Sequence, residues 1–213
     1  MYKQIFLKRG KEESLKRFHP WIFSGAIHHM DEGIEEGETV RVITAAGEFI
    51  AVGHYQIGSI AVRVLSFEDI EINTDFWCER LQSALDVRIG VGIADSPTNN
   101  TYRLVHGEGD YLPGLVIDCY GSTAVMQAHS VGMHVCRNEI CQALVQVMGD
   151  RIANVYYKSE TTLPYKADLH QENGFLVGGD ASNVAMENGL KFHIAWLRGQ
   201  KTGLFVDQRE NRS

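Results

Sequence analysis

Cysteine is scarce in this chain, long apolar runs are absent, and several common catalytic signatures are missing. The 213 residues include four cysteines, Cys78, Cys119, Cys136 and Cys141. No two form a C-x-x-C pair, which excludes the tight paired spacing of a zinc site. A disulfide framework belongs to shorter secreted chains. Each cysteine sits in an apolar stretch, so four buried, reduced thiols are expected. No apolar run approaches the roughly 20 residues that a membrane helix needs. The opening Met1-Tyr2-Lys3-Gln4 lacks the apolar core of a signal peptide. The expectation is a cytoplasmic protein with no membrane partner. Neither G-x-S-x-G nor a strand-to-helix G-x-G-x-x-G is present. Gly199-Gln200-Lys201-Thr202-Gly203 resembles a phosphate loop only superficially. Gln200 stands where that loop needs glycine before Lys-Thr, and Ala195 stands where it needs the earlier glycine. There is no internal repeat and no low-complexity tract.

What is present is enough to fold. Hydrophobic residues make up 44% of the chain and charged residues 22%, so a core can form. A typical domain has roughly 100–150 residues, so 213 residues suggest two compact units. The net charge of −7 hides an asymmetry. Residues 1–20 carry +4 and residues 191–213 carry +3, which leaves −14 for the middle. A chain with basic ends can present a local basic face to nucleic acid; the alternative is an ordinary solvated surface.

The pattern along the chain separates the two units. Tyr2 to Lys8 reads as a strand, followed by a short helix that Ser14 is placed to cap and that Pro20 ends. Thr39–Thr44, Glu48–Tyr55 and Ile60–Phe67 alternate as strands around glycine turns. They predict a closed or nearly closed β-barrel with Val40, Val42, Val52, Val62 and Val64 inward. Thr74 or Asp75 is expected to cap a helix carrying Trp77, Leu81, Ala84 and Leu85 on one face. Strands are expected at 102–106, 115–120, 123–129 and 152–158, with a helix over Met133–Met148. Asn188-Gly189 predicts a two-residue hairpin. The polar stretch 207–213 reads either as a frayed tail or as the opening of a further element.

Some local groupings have ordinary readings. Gly107-Glu108-Gly109-Asp110 with Pro113-Gly114 is expected to be a structural turn, having too few ligands for calcium. His28 and His29 are expected on the surface, pointing apart. His19-Pro20-Trp21-Ile22-Phe23 sets aromatic rings beside the N-terminal cations. That combination suits RNA, because bases stack on rings while cations hold phosphates; taken alone, Trp21 and Phe23 read more readily as core residues. Lys8, Arg9, Lys11, Lys16, Arg17 and His19 are the candidate RNA-binding residues.

Three segments go further when taken together. They are Arg17-Phe18-His19-Pro20-Trp21-Ile22-Phe23-Ser24-Gly25-Ala26, then Tyr102 to Asp110 with Leu112-Pro113-Gly114-Leu115, then Gly199 to Gly203 with Asp207-Gln208-Arg209. In this order and spacing the chain resembles the S-adenosylmethionine-dependent methyltransferases that modify carbon 5 of cytosine in large-subunit ribosomal RNA. The resemblance implies an α+β chain in three parts: a PUA-like RNA-binding β-barrel at 1–70, a central α+β domain at 71–197, and the start of a Rossmann-like methyltransferase domain at 198–213.

It implies ribosomal RNA as partner and S-adenosylmethionine as cofactor, with a homodimer also allowed. The implied chemistry is covalent: a thiolate adds to carbon 6 of cytosine, carbon 5 takes the methyl group, and a base removes the proton. The family's glycine-rich turn, aspartate-proline motif and nucleophilic cysteine fall beyond residue 213, so none of the four cysteines is assigned as catalytic and these residues alone are expected to be inactive. Lys201, Asp207, Gln208 and Arg209 are the candidate cofactor contacts. Arg209 suits the methionine carboxylate best, because its planar fork binds in two places. The alternative for these four is packing at a domain junction. The family's Glu-Gly-Leu or Glu-Gly-Met after the strand near Val155 has no counterpart in 160–175. A stand-alone RNA-binding module without catalysis is the alternative function, and a dimerisation fragment is a third.

Overall fold

A computed structural model describes residues 2–164, 169, 172–179 and 183–212. The fold is mixed α+β. Six strands make the first sheet: β1 (Gln4–Leu7), β2 (Trp21–Phe23), β3 (Ile27–Met30), β4 (Thr39–Ile43), β5 (Phe49–Tyr55) and β6 (Ile60–Ser66). Their spatial order is β2-β6-β5-β4-β1-β3. Neighbours are antiparallel except β1 and β4, which run parallel. Breaks in register at Phe6/Leu7, Ile22/Phe23, Val42/Ile43 and Val52/Gly53 bend the strands, and such bulges increase twist and curl a sheet.

The curl stops short of closure. The outermost strands β2 and β3 are joined through a tight turn at Ser24–Ala26 and do not pair with each other. The expected barrel is therefore an open half-barrel. Its interior holds Ile5, Leu7, Leu15, Ile22, Val40, Val42, Ala51, Val62 and Val64. Val52 is fully buried but on the opposite face, where it pairs with Arg41 and Ser66. Ala51, opposite Val42, takes the inward place expected for Val52. Ser14 stands at the start of the one-turn helix Leu15–Arg17, but its side chain makes no capping bond.

The second sheet orders as β11-β10-β9-β8-β7. Its strands are β7 (Thr101–His106), β8 (Leu115–Tyr120), β9 (Thr123–Ala128), β10 (Asn154–Tyr157) and β11 (Gly174–Val177). The first three form a meander, and β10 joins β9 in parallel after a helical crossover. Side chains alternate across the sheet. Leu115, Ile117, Ala124, Met126 and Val155 face α1 (Thr74–Gly90) and α3 (Arg137–Met148), meeting Trp77, Leu81, Leu85, Ile140 and Leu144. Asn73 caps α1, accepting from the Phe76 N–H at 3.1 Å, in place of Thr74 or Asp75. The single helix expected over 133–148 is broken at Cys136 into α2 (Val131–Val135) and α3, because Cys136 leaves helical geometry at φ −81°, ψ 4°.

The other face of this sheet presents Tyr120, Val125 and Tyr156, covered by Ala185, Ile194 and Trp196. The covering elements are the hairpin β12 (Val184–Glu187) and β13 (Leu190–His193), turned by Asn188-Gly189 as expected, and the segment after it. The stretch 207–213 is not a loose tail over its described part. Arg209–Arg212 forms a short helix α4, and Arg212 pairs with Glu187 at 2.7 Å, where the carboxylate is 1% exposed. Part of the 160–175 stretch, residues 165–168, 170 and 171, lies outside the described residues, as does Ser213. The cysteines are all free; Cys119 and Cys141 are buried, but Cys78 and Cys136 are only half-buried, so the expectation of four buried thiols holds for two. Among the described residues, no helix is long and apolar enough to cross a membrane.

The outer face of β5 and β6 meets the second unit. Leu65 enters the core formed by α1 and the second sheet. His54 is buried against α2, where a Cβ on Gly132 would lie 2.2 Å from the imidazole. This close approach requires glycine at 132.

Candidate nucleic-acid interface

Two sets of predicted residues occupy two different places. Lys8, Arg9, Lys11, Lys16, Arg17 and His19 are all exposed on the half-barrel, around the turn that leaves β1 and the one-turn helix that follows. Lys8 donates to the Gly25 carbonyl at 2.9 Å, which holds the β2–β3 turn. Lys16 pairs with Glu13 at 2.9 Å, an exposed contact that water and salt weaken. The His19 Nδ1 lies 3.2 Å from both the backbone nitrogen and the carbonyl oxygen of Trp21. The ring stands edge-on to Trp21 at 5.9 Å and lies 6.4 Å from Phe23, which is 50% exposed. Lys11, Leu15, Trp21 and Phe23 line a hollow of about 320 Å³. Phe23 is therefore a surface ring rather than a core residue, while Ile22 between the two aromatics is the buried one.

Lys201, Asp207, Gln208 and Arg209 lie on the other unit. Arg209 donates to the Thr101 carbonyl at 2.6 Å. Lys201 sits 4.4 Å from the centre of the Phe205 ring. Asp207 accepts from Gln208 Nε2 at 3.2 Å, and that bond together with the nearby cations Lys201 and Arg103 holds its carboxyl below the usual range. The segment is anchored by neighbours absent from the predicted set. Thr202 is fully buried and donates to Asp118, which also takes a two-pronged contact from Arg103 at 2.8 and 2.9 Å. Tyr120 accepts from the Leu204 N–H at 3.2 Å, and Lys158 donates to the Trp196 and Gly199 carbonyls.

The junction between the units contributes residues that the sequence does not mark. The turn Gly107–Asp110 is structural, with Asp110 held by both arms of Arg88. Glu108 reaches across to accept from Trp21 Nε1 at 2.9 Å. On one side of this turn, Arg63, His106, Glu108 and His129 line a cleft of about 220 Å³. Burial and the Arg103 charge push the His129 imidazole below its ordinary value. On the other side lies a groove of about 390 Å³ with Phe18, Phe67, Phe76, Arg80, Glu108 and Tyr111. The only sequence signal for Arg63 is a charge inside an apolar strand, and Phe18 and Tyr111 read as ordinary aromatics. His28 and His29, expected to diverge, bring their Nδ1 atoms to 2.8 Å on the surface, with His29 stacked on Phe6.

Known proteins give this geometry a context. The family described as a PUA-like domain matches residues 5–67. Over its full length the chain is 39% identical to "Ribosomal RNA large subunit methyltransferase I" of Vibrio parahaemolyticus, covering 53% of that protein. It is 37% identical to the protein of the same name in Aliivibrio fischeri, covering 54%. The chain therefore spans about half the length of the curated relatives it matches. A solved structure titled "A putative sam-dependent methyltransferase from Streptococcus mutans" superposes with a TM-score of 0.79 at 23% identity, over 98% of this chain and 52% of that one. A second, titled as a putative methyltransferase complexed with SAH, agrees to the same degree and shares the fold. The similarity to large-subunit ribosomal RNA methyltransferases thus runs along the entire chain.

Proposed function

We propose that this chain is the RNA-engaging and substrate-positioning portion of an S-adenosylmethionine-dependent methyltransferase acting on carbon 5 of cytosine in ribosomal RNA. The observation that carries the reading is the coincidence of whole-chain similarity to large-subunit ribosomal RNA methyltransferases with an exposed basic and aromatic face on the half-barrel. Lys8, Arg9, Lys11, Lys16 and Arg17 neutralise phosphates, and His19 and Phe23 meet bases. In this reading, residues 1–70 bind RNA, 71–197 set its distance, and 198–213 lead toward the cofactor.

The cofactor contacts are partial. Lys201, Asp207 and Gln208 are exposed and Arg209 is half-buried, so together they supply polar ends but no walls for an adenosine. They do not make a complete site, and Arg209 already spends one donor on Thr101. Three of the four thiols also fit a chain that carries no nucleophile of its own. Burial pushes Cys119 and Cys136 up to about 12 and Cys141 up to about 11. Thiols so placed stay protonated at neutral pH, whereas a nucleophile must be a thiolate. That observation equally supports the second reading, an RNA-binding module without catalysis.

Titration of the 213-residue protein with ribosomal RNA fragments at several salt concentrations tests the RNA role. Binding should weaken with salt, and Lys11→Ala and Arg17→Ala should each lower the slope by about 0.7 for a single strand. Binding that ignores salt, or none at all, would refute it. Incubation with labelled S-adenosylmethionine should give no methyl transfer from this chain alone; transfer would overturn the positioning role.

A further inference from the structure

Two of the most exposed aromatic side chains are held in the same unusual way. Phe18 closes the one-turn helix Leu15–Arg17 at φ 61°, and Tyr111 closes the turn Gly107–Asp110 at φ 57°. Each backbone N–H returns to the preceding turn, Phe18 to Leu15 and Tyr111 to Glu108 and Gly107. A left-handed cap of this kind favours glycine, and a bulky residue there carries strain. Yet Phe18 is 70% exposed and Tyr111 64% exposed, so little burial offsets that strain. Strain of this sort clusters at ligand clamps. The two rings come from different units and line one groove, the 390 Å³ hollow at the junction.

The groove has the chemistry of a nucleobase site. Phe67 packs edge-on to Phe18 at 5.2 Å, and Arg80 lies over the Phe76 and Tyr111 rings at 5.2 and 5.7 Å. Planar apolar walls accept the faces of a base. The guanidinium of Arg80 and the carboxylates of Glu79 and Glu108, which also line the groove, suit its polar edge. Arg17 and His19 flank Phe18 in the chain and are exposed, so one wall of the groove and the basic cluster share a short stretch of the half-barrel. Across the Gly107–Asp110 turn, the neighbouring cleft offers Arg63 and His106, donors suited to a phosphate oxygen.

We propose that the junction groove clamps one unpaired nucleobase of single-stranded RNA between Phe18 and Tyr111. The proposal rests on the RNA-binding reading above and deepens it. Duplex RNA keeps its bases stacked and cannot enter, so the groove selects unpaired segments.

The test exploits the backbone. Tyr111→Gly and Phe18→Gly remove the rings while relieving the left-handed strain, so each protein should fold with an unchanged or raised Tm. Each should weaken binding of a short single-stranded RNA carrying one 2-aminopurine by about tenfold, the scale of one lost base–aromatic stack. Each should also abolish the fluorescence change of that base, and duplex binding should be unaffected. If a glycine variant proves unstable, Tyr111→Asn keeps a residue that tolerates this conformation, and the same loss is expected. Wild-type affinity in the ring variants overturns the clamp. If those variants keep RNA affinity but lose self-association in sedimentation, the groove belongs to a second copy of the chain. If Lys11→Ala and Arg17→Ala weaken RNA while the ring variants do not, RNA binding stands and the clamp alone fails. No RNA binding by the wild type removes both.

Discussion

Acid should loosen the contact between the half-barrel and the helical layer through His54. The imidazole is 2% exposed, and burial, with a smaller contribution from the Arg63 charge, lowers its pKa to about 4. Its Nδ1 has no hydrogen-bond partner and its Nε2 lies 3.7 Å from the Cys136 sulfur, so nothing nearby compensates a positive charge. Above pH about 6.5 the group is neutral whether folded or unfolded. Between about 6.5 and 4, the unfolded chain takes a proton that the native site refuses, so stability falls as pH falls and levels off below 4. Across the whole window the loss is about 3 kcal/mol, and from pH 7 to pH 5 about 2 kcal/mol. His129 and His134 are also pushed down by burial and add losses of the same sign. Urea unfolding of the wild type and of His54→Gln at pH 7 and pH 5 isolates the share due to His54. The wild type should lose more than the variant by about 2 kcal/mol. Equal losses, or an NMR titration of His54 near its ordinary value, would refute the reasoning.

Three further outcomes follow from contacts already described. Gly132→Ala drives a methyl group to 2.2 Å from the His54 ring; the overpacking should cost about 1–3 kcal/mol in denaturant unfolding. Arg212→Ala leaves Glu187 buried without its guanidinium, a loss of about 3 kcal/mol visible as a lower Tm. Thr202→Val removes a buried donor to Asp118 and a partner of Tyr120; it should cost about 1–2 kcal/mol and speed amide exchange at Leu204, while Thr202→Ser should recover most of both.

Strands with alternating side chains were legible from sequence; those defined by their partners were not. β4 and β6 set their valines inward at alternate positions, whereas the apolar residues of β5 do not mark its inward face, and β2, β3 and β11 are three or four residues long and offer no period to read. Val52 was misplaced because Val and Ala look unequal as core residues, yet the register puts Ala51 opposite Val42 and sends Val52 to the outer face. That outer face is itself buried by the second unit, a fact that no local pattern carries. The helix over 133–148 kept its apolar spacing across the break at Cys136, because α2 and α3 both pack on one core. The exposed cations of the candidate RNA face were readable from composition and motif. The groove was not, since Phe18 and Tyr111 are 93 positions apart and only their backbone geometry marks them.

Buried polar pairs on the second sheet link the junction cleft to the C-terminal segment. Arg103 donates to His106 Nδ1 at 3.3 Å, at the mouth of the junction cleft. The same guanidinium grips Asp118, which is fully buried, and Asp118 accepts from Thr202 in the C-terminal segment. A carboxylate buried in this way is tolerated only while paired and hydrogen-bonded. Releasing the segment would strip Asp118 of the Thr202 donor and Tyr120 of its contacts to Leu204. The segment is therefore held by satisfied polar groups as well as by the packing of Trp196 on Tyr156 at 4.9 Å. Distance between the cleft and the segment is set by β7 and β8, one strand pair with a six-residue span. The cleft and the segment that carries Lys201 and Arg209 are thus joined through one hydrogen-bonded strand pair. The positioning role proposed above needs a fixed offset of this kind, since a misplacement of about 1 Å is enough to slow a transfer reaction roughly a hundredfold.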